Sequence, residues 1–94
     1  MENLEREARR EAIAIYLDKE VMESVATGLS LEDVALIAAG RCYDLYRGFG
    51  SPCSLGHAQG EAEAALYRVL SAQGQWNESA YADICMAFNY ANAW

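Results

Sequence analysis

Few side chains in this sequence are of the kind that make and break bonds. His57 is the single histidine, and Cys42, Cys53 and Cys85 are the only thiols. Acid–base or nucleophilic catalysis requires such groups to converge with a base, an orienting partner and a stabiliser of charge. No Ser–His–Asp, Cys–His or HExxH pattern accompanies His57, and Glu61 and Glu63, two positions apart, fall on different faces of a helix. The cysteine spacings, 11 and 32 residues, match no zinc or CxxC redox pattern, and an odd number of thiols cannot all pair within one chain. Cys53, beside Pro52 in a loop, is the one thiol placed for exposure and oxidation. Cys42 and Cys85 lie on apolar stripes and read as small core residues. The glycine-rich stretch from Gly48 to Gly56 lacks the lysine and the glycine spacing of a phosphate-binding loop. No metal, cofactor or catalytic residue is expected, and the chain reads as a non-enzyme.

Side chains suited to binding are better represented. From Ser79 to Trp94 the only charged residue is Asp83. Tyr81, Ile84, Cys85, Phe88 and Ala91 make one apolar stripe of a helix. Met86, Tyr90 and Trp94 make a second, rotated from the first by roughly 100°. A helix apolar on most of its circumference is expected to be covered on most of it, and a chain this short has few neighbours to do so. Tyr81, Met86, Phe88, Tyr90 and Trp94 are therefore expected to anchor a partner or a second copy, being types enriched at interfaces. The competing reading makes this helix the central one of its own bundle. A second group, Glu7, Glu11, Asp18, Glu20 and Glu23, is expected to supply a negative field from the first helix, against the reading of a plain solvated face.

Four helices must position these residues, and nothing reads as a strand. The first is expected from about Glu2 to Thr27, with Leu4, Ala8, Ala12, Ile15, Val21 or Met22 and Val25 as its stripe, widened by Ile13, Tyr16 and Leu17. Glu2–Arg6, Glu5–Arg9 and Lys19–Glu23 stand at i,i+4 spacing on the wet side, and Gly28 ends the helix. Ser30 caps the second helix, with Asp33 as the capping-box acid and Leu29 and Val34 as a staple. That helix runs from Leu31 to about Tyr46, with Val34, Ala35, Ile37, Ala38, Cys42 and Leu45 inward. Gly40 inside it suggests the close approach of a neighbouring helix. A third helix follows from Leu55 or His57 to Ala72, apolar at Ala62, Ala65, Leu66, Val69 and Leu70, and closed by Gly74. Asn77 caps the fourth, with Trp76 and Tyr81 as its staple; the Asn77-Glu78-Ser79 glycosylation pattern is read as this cap.

The whole is one helical domain over residues 1–94, all-α, a bundle of three to four helices expected to dimerise. Fourteen acids against seven Lys and Arg give a net charge of −7. That balance opposes autonomous nucleic-acid binding and attraction to an anionic membrane. A charged start without an apolar run gives no signal peptide, and a cytoplasmic setting is expected.

Leu31-Glu32-Asp33-Val34-Ala35, Ala39-Gly40 and Leu45-Tyr46-Arg47-Gly48-Phe49 resemble the helix-turn-helix signature of TetR-type repressors. The resemblance implies a turn at Gly40, a recognition helix beyond it, and a DNA-binding regulator built on segment 31–49. The sequence departs from that pattern after Gly40, where Arg41-Cys42-Tyr43 offers no Ser or Thr cap. The other reading of the segment is one uninterrupted amphipathic helix.

Together these features point to a small acidic interaction protein that binds and modulates another protein with a basic surface. A nucleic-acid-binding regulator is the expected partner, with the chain acting as an anti-activator, anti-repressor or phage-type inhibitor. The alternatives are the helix-turn-helix regulator and a helical dimer that carries a small apolar ligand.

Overall fold

Helix boundaries in this chain follow local chemistry. In a computed structural model, residues 2–92 are described, with side chains from Glu5 onward. Four helices are present: α1 (Glu2–Ala26), α2 (Leu31–Gly48), α3 (Leu55–Ala72) and α4 (Glu78–Asn92). The described residues contain no strand. Ser30 Oγ accepts from the Asp33 N–H at 3.2 Å, Ser54 Oγ from His57 at 3.0 Å, and Asn77 Oδ1 from Ala80 at 2.8 Å. Each cap satisfies a backbone donor that the first turn of a helix leaves unpaired. The other ends share one closure. Leu29 N–H reaches the Ser24 carbonyl, Ser51 reaches Tyr46, and Gln75 reaches Leu70. In each case the preceding glycine, Gly28, Gly50 or Gly74, sits at positive φ. This is the Schellman closure, whose left-handed residue favours glycine.

Consecutive helices run antiparallel. Glu20 on α1 meets Arg41 on α2, and Arg9 near the start of α1 meets Ser51 just beyond α2. The first and third helices run parallel, since Arg10 meets Glu61 and Asp18 meets Arg68. The hub of the bundle is α2, which packs on all three other helices, while α4 rests mainly on α2. The competing reading, with α4 at the centre of the bundle, gives way to a central α2.

The core gathers Ile13, Leu17 and Val21 of α1, Val34, Ala35, Ala38 and Cys42 of α2, Ala62, Ala65, Leu66 and Leu70 of α3, and Ala80 and Ile84 of α4. Small side chains supply much of it, so the helices approach closely around a thin core. The α1 stripe differs from the expected one. Its buried line is Ile13–Leu17–Val21, while Ile15, at 64% exposure, and Met22 face outward. Both lines are apolar in sequence, and α1 has neighbours on one side only, so one of them stays uncovered. Ile37 is likewise exposed, and a Cβ built on Gly40 meets nothing within 4 Å. No neighbour approaches that glycine. The second helix continues unbroken from Leu31 to Gly48, so the turn that the repressor resemblance implies at Gly40 does not form.

Candidate functional site

Glu61 collects donors from three helices. Its Oε1 accepts from the Tyr46 hydroxyl at 3.0 Å and lies 3.7 Å from Arg10 Nε. Its Oε2 accepts from the Cys42 thiol at 3.2 Å and lies 3.4 Å from His57 Nε2. One carboxylate, only 18% exposed, thus joins α1, α2 and α3. The arrangement follows from helical spacing: Cys42 and Tyr46 are one turn apart on α2, and His57 and Glu61 one turn apart on α3. The Tyr46 and His57 rings pack edge to face with centroids 5.3 Å apart. Burial, reinforced by the adjacent carboxylate, pushes the Cys42 thiol and the Tyr46 phenol well above their ordinary ranges. Both groups donate hydrogen bonds to Glu61.

Beside this cluster a cavity of about 570 Å³ opens between the start of α1, the α2–α3 connection and the start of α3. Arg6, Arg9 and Arg10 line one side, and Tyr46, Ser51 and His57 line the other. At roughly 100° per residue these arginines share the sector that Ile13, Leu17 and Val21 occupy two turns later. The first turns of α1 overhang the core, and their inward side carries guanidinium groups. Arg9 is fixed at two points, with Nη1 donating to Ser51 Oγ at 2.9 Å and Nε donating to the Glu5 carbonyl at 3.4 Å. The expected Glu5–Arg9 side-chain pair is replaced by these bonds, and no Lys19–Glu23 pair forms among the described residues. The side chain of Glu2, expected to pair with Arg6, lies outside the described residues.

The α4 residues expected to anchor a partner separate into three settings. Met86 and Tyr90, at 62% and 66% exposure, share the outer side of the helix. Phe88 turns inward and packs against the core. Tyr81 joins a ladder of edge-to-face rings, Tyr67–Trp76–Tyr81, with centroid separations of 5.1 and 5.9 Å. Its phenol is pushed up chiefly by a hydrogen bond with Cys85. Trp94 lies outside the described residues.

The acidic group on α1 also divides. Glu7 and Glu11 border a second cavity of about 590 Å³, and Asp18 on the same side is held by Arg68 at 2.9 Å. Glu20 sits on the other flank, paired with Arg41, and Glu23 is exposed there. Cys53 is half-buried rather than open, and its thiol is pushed up, first by burial and then by Glu61. A redox-sensing thiol is normally of low pKa and accessible, so the setting of Cys53 is opposite to that type.

Sequence reasoning weighed Glu61 only beside Glu63, and Arg6 and Arg9 only as partners of Glu2 and Glu5, and did not bring the three arginines together. Their signal was present in the i, i+3, i+4 spacing of Arg6, Arg9 and Arg10 on the inward sector of a helix in an acidic chain. Among the described residues, no His, Cys, Asp and Glu cluster suits a metal ion. No helix there is long and apolar enough to cross a membrane. No family model matches this chain, and neither a curated protein nor a solved structure matches it.

Proposed function

We propose that this chain is a non-enzymatic interaction protein that binds a partner with a basic surface and modulates it. The observation that carries the reading is the outer side of α4. That helix spends Ala80, Ile84 and Ala87 on the bundle and holds Met86 and Tyr90 on its solvent-exposed side. An aromatic ring and a flexible thioether are common anchors of protein contacts. Charge supports a cationic occupant. Beyond Arg68 the chain holds Glu78 and Asp83 and no Lys or Arg. A nucleic-acid-binding regulator is the class of protein whose surface meets this description, and occupying that surface inhibits it by excluding the phosphate backbone. The groups around Glu61 support the non-catalytic reading, because burial and that carboxylate push both nearby thiols up, away from the reactive thiolate form.

The test compares the wild type with a Met86→Ser/Tyr90→Ala double variant, whose changes lie outside the core. Each is used to capture partners from nuclease-treated lysate of the native cell, and the captured protein is then titrated against both. The expected result is a basic partner bound by the wild type, released as salt rises, and weakened at least about tenfold in the variant. Equal affinity of the two chains overturns the reading. Sedimentation of each chain alone separates the other occupant, a second copy, which predicts a doubled mass lost in the variant.

A further inference from the structure

We infer that the arginine-lined groove is a binding site for the phosphoryl group of a small organic phosphomonoester. In a chain with twice as many acids as Lys and Arg, three of the seven cations line one cavity, and among the described residues no Asp or Glu lines it. Adjacent like charges on a helix repel one another, so an arrangement of this kind is relieved by an anion. Two of the three groups already have partners before any ligand arrives. Arg9 is fixed between Ser51 and the Glu5 carbonyl, and Arg10 is tethered by Glu61. Among the described residues, neither Arg6 nor Arg9 is paired with a carboxylate. Fixed guanidinium groups lose little freedom when they close on an oxyanion. Ser51 Oγ already accepts from Arg9, which leaves its own proton to be donated to a ligand oxygen.

Three guanidinium groups and a hydroxyl suit a tetrahedral dianion with three open oxygens better than a planar monoanionic carboxylate. The volume, about 570 Å³, is of small-molecule size. It exceeds what a bare phosphate ion fills, and the Tyr46 and His57 rings with Pro52 offer apolar surface for an organic body. This inference is independent of the reading of α4, because none of its residues lies on that helix.

The test is calorimetric titration of the whole chain at low salt with phenyl phosphate, inorganic phosphate and benzoate. Phenyl phosphate is expected to bind one to one. Inorganic phosphate is expected to bind several-fold more weakly, and benzoate at least about tenfold more weakly. Arg6→Gln and Arg9→Gln should each weaken phenyl phosphate about tenfold, while Arg47→Gln, a cation placed over the Tyr43 ring away from the groove, leaves it unchanged. Should Arg9→Gln disturb the α2–α3 connection, Arg6→Gln alone decides, since Arg6 is exposed and holds no other element. Three results overturn the inference. They are no heat up to about 10 mM phenyl phosphate, benzoate bound as tightly as phenyl phosphate, or full affinity in Arg6→Gln.

Discussion

Cys42 and Tyr46 donate to Glu61 from one face of α2, and burial together with that carboxylate holds each proton above its usual range. The consequence for stability has a definite sign. An unfolded thiol titrates near 9.0 and an unfolded tyrosine near 10.0. Above those values the unfolded chain releases protons that the folded chain keeps, so stability falls as pH rises. Each group contributes at most about 1.4 kcal/mol per pH unit across that window. Urea unfolding between pH 8 and pH 11 should therefore show a declining stability. Cys42→Ala is expected to flatten the limb that begins near 9, and Tyr46→Phe the limb that begins near 10. A wild-type profile flat through this range would mean that the two protons are not retained on folding. The cluster was not legible in the sequence because Glu61 meets partners 15 and 19 residues away. Which helix faces which is set by packing, and no local pattern records it.

Helix boundaries, by contrast, could be read closely, because caps and glycine closures act within a few residues. Ser30, Asn77, Gly28 and Gly74 occupy the roles their types predict. The outward sides were misread where two apolar lines compete on one helix, as with Ile13 and Ile15, since the sequence does not say which line its neighbours cover. Gly40 is the clearest case at this scale. It sits in the middle of α2 in the ordinary helical conformation, exposed, with open space around a Cβ. Gly40→Ala should stabilise the protein by about 0.5–1 kcal/mol, since alanine loses less backbone freedom on entering a helix. The measurement is a thermal or urea midpoint. A destabilised variant would imply a contact or a bend at this position that the continuous helix does not contain.

Across the whole molecule, charge and packing are unevenly shared. The cations lie between Arg6 and Arg68, and the last helix combines two acids with an exposed tyrosine and an exposed methionine. The bundle is anchored at its centre by α2, with α4 on one side and α1 spanning α2 and α3 on the other. The first turns of α1 extend past this core. From Glu5 to Ala12 no side chain is buried, and the tertiary bonds there are Arg9 to Ser51 and Arg10 to Glu61. Backbone amides open in proportion to how little apolar contact holds them. Deuterium should thus enter the amides before Ile13 far sooner than those around Leu17 and Val21, along one continuous helix. The same overhang carries the three arginines, so filling the groove with phenyl phosphate should slow exchange selectively in residues 5–12. The start of α1 would then be the part of the molecule whose exchange rate reports whether the groove is filled.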